Sequence, residues 1–184
     1  MSTPVLIGII VGVLALGGLL GAAVLFALAS GDNGPRRFGV TTPGTDFFDK
    51  TASFAVTAEI SVPGPAERVW TQVSEGGYLE SIPFVSGPVR SGDRIVTRTP
   101  LCAFTEKVVH SEEGRKLVAI GTGISVPLVL NAFGERWELA DEGNKVQVRW
   151  TVGITPKWVG WFPMRWTAFA VRPFLRTLLF LAIR

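Results

Sequence analysis

The first thirty residues constrain this chain more than any other stretch. Between Pro4 and Ser30 there is no charged side chain. The run from Val5 to Ala29 is about 25 residues long, and a helix needs roughly 20 apolar residues to cross the hydrocarbon core of a bilayer. A soluble helix of that length would carry a polar face, and this one has none. Its glycines are no objection, because glycine is common in transmembrane helices. Ala27-Leu28-Ala29 before Ser30 resembles the cleavage site of a signal peptide. Against cleavage, no basic residue precedes the run, and it exceeds the roughly 7–15 residues of a usual signal core. A retained transmembrane helix over residues 5–29 is the expectation. Arg36 and Arg37 follow the span and no Lys or Arg precedes it. The positive-inside rule then puts the N-terminus outside and residues 36–184 in the cytoplasm, as a single-pass protein of the cell membrane.

Gly8 and Gly12 are four residues apart, as are Gly17 and Gly21. That spacing lets two helices approach closely in lipid, so packing on a second copy or on a larger membrane protein complex is expected here. The plainer reading is a glycine-rich anchor that touches only lipid.

Residues 30–50 read as a linker, punctuated by Gly31, Gly34, Pro35, Pro43 and Gly44. Beyond it, residues 51–184 make one domain of about 135 residues, enough to bury a real core. The single cysteine, Cys102, excludes an internal disulfide and suits a reducing compartment. One Cys and one His (His110) leave no metal site to argue for, and no cofactor is expected. The last acidic residue is Glu142, after which come Lys145, Arg149, Lys157, Arg165, Arg172, Arg176 and Arg184. A basic tail suits nucleic acid or an anionic membrane. On a tethered and very apolar segment, membrane lipid is the expected partner and nucleic acid is not.

Alternation over Thr51–Val62 predicts a half-buried strand, with Phe54, Val56, Ala58 and Ile60 on one face. Pro65 and Gly76-Gly77 bracket a helix over Ala66–Ser74, and Tyr78–Ile82 is a candidate second short helix. Strands are predicted at Arg94–Thr99, Phe104–His110, Lys116–Gly121, Leu128–Leu139 and Lys145–Ile154, separated by Gly- and Asp-containing turns. Successive strands without helices between them form an antiparallel meander. A helical region from Trp158 to Arg184 closes the chain, with breaks or kinks expected at Pro163 and Pro173.

Phe54-Ala55-Val56-Thr57-Ala58-Glu59-Ile60-Ser61-Val62-Pro63, followed by Pro65-Ala66-Glu67-Arg68-Val69-Trp70, resembles the opening of the START/Bet v1-like (SRPBCC) superfamily. This is the group described as polyketide cyclase/dehydrase and lipid transport. Glu135-Arg136-Trp137-Glu138-Leu139 is similar to a late strand of the same group. The resemblance covers roughly residues 52–184. It implies an α+β helix-grip fold, a curved antiparallel sheet around a long C-terminal helix, here preceded by one transmembrane helix. It also implies a cavity for an apolar small-molecule ligand. Phe84, Leu101, Phe104, Leu128, Leu130, Phe133, Trp137 and Trp150 are the residues expected to line that cavity, or to fill it as an ordinary core. The anchor and the apolarity of Phe169–Ile183 lie outside the family pattern.

No catalytic set stands out. Glu106 and His110 are four apart and would share a strand face, some 13 Å from each other at about 3.3 Å per residue. Gly121-Thr122-Gly123 lacks the third glycine of a dinucleotide loop and reads as a turn. Glu135, Arg136 and Glu138 read mostly as a solvated face, with one of them free to point into a cavity. On the final helix, Arg165, Arg172 and Arg176 fall within about 40° of one another at roughly 100° per residue. With Trp158, Trp161 and Trp166 beside them, they suit the headgroup level of a bilayer. The expected function is a non-enzymatic, membrane-anchored binding module for a lipid or other apolar ligand. An accessory subunit of a membrane complex and a cyclase-like enzyme are the alternatives.

Overall fold

The computed structural model describes residues 3–30, 38–44, 46–76, 78–79, 82, 84–126, 129–161 and 164–183. Arg36, Arg37, Leu128 and Pro163, which carried expectations above, lie outside the described residues.

Helix α1 (Thr3–Ser30) contains a stretch, Pro4–Ser30, long and apolar enough to cross a membrane. At 1.5 Å per residue it spans about 40 Å, more than the roughly 30 Å hydrocarbon core. No protein atom lies near the open positions of Gly8, Gly12, Gly17 and Gly21.

After α1 come strand β1 (Phe38–Gly39), a π-helical turn (Phe47–Thr51), β2 (Phe54–Pro63) and helix α2 (Ala66–Glu75). Six strands follow: β3 (Ser86–Ser91), β4 (Arg94–Arg98), β5 (Ala103–Glu112), β6 (Lys116–Ile124), β7 (Leu130–Asp141) and β8 (Lys145–Pro156). A 3-10 turn (Arg165–Thr167) leads into α3 (Ala168–Ala182). The strands pair antiparallel in the order β2-β8-β7-β6-β5-β4-β3, and β1 joins the end of β6. This is the expected curved antiparallel sheet with a C-terminal helix.

The period-2 pattern explains which residues go inside. Phe133, Glu135, Trp137 and Leu139 of β7 lie opposite Ile154, Val152, Trp150 and Val148 of β8. Those in turn face Phe54, Val56, Ala58 and Ile60 of β2. Trp137, Leu117, Val146, Val148 and Leu179 of α3 are fully buried in one core, which Val69 and Val73 of α2 join at helical i, i+4 spacing. Each such aliphatic side chain contributes about 1.5–3 kcal/mol by leaving water.

A smaller core sits on the opposite, convex face. Phe47 and Phe48 pack there against Ala52 and Ala132. They lie flat on the sheet because Gly153 has no side chain: a Cβ there would come 2.9 Å from the Phe47 ring. Part of the stretch read as linker is therefore built into the domain.

Several expectations about elements change: Gly121-Thr122-Gly123, read as a turn, lies inside β6, and the closing α-helix begins at Ala168 and not at Trp158, which lies in a turn. Tyr78 and Leu79 form a turn rather than a helix among the described residues, closed by Ile82 N–H on the Leu79 carbonyl at 3.0 Å. Strand β3 was not anticipated, because Ser86-Gly87-Pro88 reads as turn chemistry. Pro173 does not end α3, which runs through it. Proline early in a helix removes a single intrahelical bond, and the packing of Leu175 and Leu179 downstream outweighs that loss.

Candidate functional site

Two glutamates point into the apolar interior. Glu135 on β7 pairs with Ala119 on β6, and Glu106 on β5 pairs with Gly121 on β6. Both carboxyls therefore share the concave face with Phe133 and Trp137. They stand two strands apart, about 10 Å between backbones. Between the two glutamates the intervening strand presents Ala119 and Gly121, so nothing bulky separates them. Gly121 is required, since a Cβ there would lie 2.4 Å from the Phe133 ring. Relative exposure is 8% for Glu106 and 6% for Glu135, values ordinary for core leucines and not for acids.

His110 does not join them. A register shift between Val108 and His110 inserts an extra residue on β5. His110 then pairs with Val118 and emerges on the convex face, beside Lys116 and Arg136. The expectation that Glu106 and His110 share a face is thus corrected by a bulge. Arg136 and Glu138 also lie on the convex side, where Arg136 holds Asp49 through two bonds of 3.1 Å. Of the four charged residues on β7, Glu135 is the one that turns inward.

The Glu135 carboxylate is well held. Tyr78, delivered by the turn after α2, donates its hydroxyl to Oε1 at 2.5 Å. Trp150 donates Nε1–H to Oε2 at 3.0 Å. Trp137 stacks on Trp150 with centroids 4.9 Å apart, and the Tyr78 ring meets Trp137 edge-on at 4.8 Å. Phe104 meets Phe133 edge-on at 5.7 Å. Among the described residues, Trp137 Nε1–H is buried and makes no hydrogen bond of good geometry, although it lies close enough to the Glu135 carboxylate to favour its ionised form, and no described residue hydrogen-bonds the Glu106 carboxyl.

Burial sets the protonation of this cluster. It pushes the Glu106 carboxyl well above the usual range, and the nearby Glu135 charge adds to the rise. Burial also raises Glu135, against hydrogen bonds from Tyr78 and Trp150 that favour its ionised form. Tyr78 is raised well above an ordinary phenol, by burial first and then by the two carboxylates, so it remains a donor. The arrangement is a carboxyl whose neutral form burial favours, two strands from a carboxyl held by two hydrogen bonds. No Lys, Arg or His among the described residues pairs with either.

The residues expected to line a cavity divide into two groups. Phe104, Phe133, Trp137 and Trp150 belong to this cluster, with Trp137 and Trp150 stacked and buried. Leu130 is half-buried at the start of β7. Phe84 is 83% exposed and Leu101 is 46% exposed, on loops away from it. Sequence reasoning weighed Glu106 with His110 and not with Glu135, did not single out Tyr78, and read Glu135 as mostly solvated. The available signal was strand parity, since Glu106 alternates with Phe104 and Val108 as Glu135 does with Phe133 and Trp137. No grouping of His, Cys, Asp and Glu among the described residues is suited to a metal ion.

Of the expected membrane-surface residues, Trp158, Trp161 and Trp166 are strongly exposed. Arg172 and Arg176 are exposed on α3. Arg165 turns back to the domain, where its guanidinium donates to the carbonyls of Asp49, Ala52 and Phe48 at 2.7, 3.1 and 3.3 Å. The open clefts described lie away from the glutamates. One, of about 650 Å³, runs between α3 and β2; another, of about 550 Å³, lies on the convex face around His110 and Arg136.

A family model described as "Polyketide cyclase / dehydrase and lipid transport" matches residues 53–179. No curated protein matches the chain. Among solved structures, the Mll3558 protein from Rhizobium loti is 15% identical, with 70% of this chain and 94% of that one covered at a TM-score of 0.51. XoxI from Bacillus cereus is 14% identical, covering 71% and 90% at 0.50. A START superfamily protein from Mycobacterium smegmatis is 14% identical, covering 67% and 85% at 0.47. At such identities the likeness concerns the fold alone.

Proposed function

The chain belongs to the polyketide cyclase / dehydrase and lipid transport family, and on that premise we propose that it is a membrane-anchored, non-enzymatic binding module for one apolar ligand. Helix α1 crosses the membrane once, with the N-terminus outside and the domain in the cytoplasm. The ligand lies against the concave face, its apolar part at Phe104 and Phe133 and its polar end at Glu106 and Trp137.

The observation that carries this reading is the unused hydrogen-bonding capacity there. Glu106 is buried with no ion-pair or hydrogen-bond partner among the described residues, and Trp137 Nε1–H meets the Glu135 carboxylate only outside good hydrogen-bond geometry. A carbonyl or hydroxyl oxygen on a ligand would supply such a partner. A protonated Glu106 donates to the same kind of oxygen. The tether keeps the module at the bilayer, where an apolar ligand is concentrated.

The test is native mass spectrometry of the full chain released from membranes in mild detergent. An apolar adduct is expected on the wild type and is expected to weaken in Trp137→Phe, which keeps the ring and loses the N–H. Absence of any adduct, together with no binding of added lipids, sinks the proposal. A ligand-free chain held in a larger assembly would replace it with an accessory-subunit role.

A second reading rests on the carboxyl whose neutral form burial favours, two strands from a hydrogen-bonded one. Such a pair can serve general acid and base steps, as a cyclase-like enzyme requires. It predicts turnover that Glu106→Gln abolishes while leaving the adduct in place.

A further inference from the structure

We propose that the groove between α3 and the outer edge of β2 is a second, separate site, which holds an anionic membrane lipid. Its acyl chain lies between Ile60 and Phe180, and its headgroup meets Arg172 and Arg176.

The groove follows from how α3 meets the sheet. Leu175, Leu179 and Ala182 face the core, so the helix flank that carries Phe169, Pro173 and Phe180 overhangs the last strand. Beneath the overhang lie Ile60 and Ser61 of β2. The cleft is about 650 Å³, and a neighbouring one of about 300 Å³ shares Ile60, Ser61 and Phe180 with it and extends to Ile183. Both fall within the roughly 300–1,000 Å³ that small-molecule sites occupy.

Charge selects the occupant. Arg172 and Arg176 are four residues apart and share one helix face at the rim, and Arg68 borders the adjoining cleft. None of the three is in a salt bridge among the described residues. Glu59, which lines a cleft with both helical arginines, is in a salt bridge with Arg149 at 2.7 Å. No Asp or Glu occurs after Glu142 to oppose them. An open cleft with an apolar floor and two guanidiniums at its rim fits one chain with one negative end, and guanidinium pairs well with phosphate. The exposed Trp158, Trp161 and Trp166 on the same segment are of the type that settles at the membrane interface, where such a lipid is supplied. This proposal relies on the membrane-anchored reading only for that supply, not on the concave-face site.

The experiment places the full chain in nanodiscs of phosphatidylcholine alone, or of equal phosphatidylcholine and phosphatidylglycerol. The protein is then released into mild detergent and its retained lipids are weighed by native mass spectrometry. One phosphatidylglycerol per chain is expected from the mixed discs, enriched at least about tenfold over phosphatidylcholine. Arg172→Gln with Arg176→Gln is expected to lose that enrichment, and Arg172→Lys with Arg176→Lys to keep most of it. Trp137→Phe is expected to leave it unchanged, so failure at either site is read separately. Retention of the two lipids in their membrane proportions overturns the proposal. So does full enrichment in the double Gln variant, or a polypeptide found along β2 in place of lipid.

Discussion

Replacing Glu106 by Gln removes one ionisable proton from the core while keeping nearly the same shape. Burial and the neighbouring Glu135 raise the Glu106 carboxyl well above the usual range in the fold, whereas in the unfolded chain it ionises at about pH 4.3. A folded-state pKa above the unfolded one means the contribution to stability is fully present below about pH 4.3 and is lost as pH rises toward the folded value. The loss is about 1.4 kcal/mol per pH unit for one such group. The cost to the wild type therefore grows with each pH unit above about 4.3 until the folded carboxyl itself ionises. Glu106→Gln escapes this cost, so the variant is expected to match the wild type near pH 4.5 and to exceed its stability increasingly toward pH 7. The assay is denaturant unfolding of the full chain in mild detergent between pH 4.5 and 8, followed by tryptophan fluorescence of the Trp137–Trp150 stack. A stability difference that stays flat with pH would refute the reasoning, because it would mean that Glu106 ionises as readily in the fold as outside it.

Two further outcomes follow from contacts on either face of the sheet. Gly121→Val puts a branched side chain where the Phe133 ring now sits, 2.4 Å from the would-be Cβ, and is expected to destabilise by about 1–3 kcal/mol or more in thermal or denaturant melts. Arg165→Ala frees three carbonyls of the segment 48–52 on the convex face and is expected to cost about 1–3 kcal/mol, with faster hydrogen exchange at Phe47–Ala52 as the local readout.

The concave cluster shows how far strand parity carries. Alternation alone puts Glu135 in register with Phe133 and Trp137, and Glu106 in register with Phe104, so the inward direction of both acids was legible. It was discounted because an acid in a strand more often faces water. Parity also misled, placing His110 on the face of Glu106, because a one-residue bulge on β5 is invisible to a period-2 count. Tyr78 was unreadable as a partner, since it lies 57 residues from Glu135 on a turn with no pattern of its own. Arg165 was grouped with Arg172 and Arg176 by helical angle. It lies in the 3-10 turn before α3, where that angle does not apply, and its guanidinium binds the convex face instead.

The sequence by itself determined what depends on neighbours along the chain. The uncharged apolar run sets a helix long enough for a bilayer, the period-2 stretches set strands and their inner faces, and the glycine-bearing turns set an antiparallel meander. The tertiary structure alone decided what depends on register between strands far apart in sequence. Pairing Glu106 with Gly121 and Glu135 with Ala119 brings two acids over one small-residue strip. Laying α3 beside the last strand opens the arginine-rimmed groove. Local patterns are fixed by backbone geometry within a few residues, whereas these juxtapositions follow from burying the whole apolar surface at once, and no short window of sequence contains that sum.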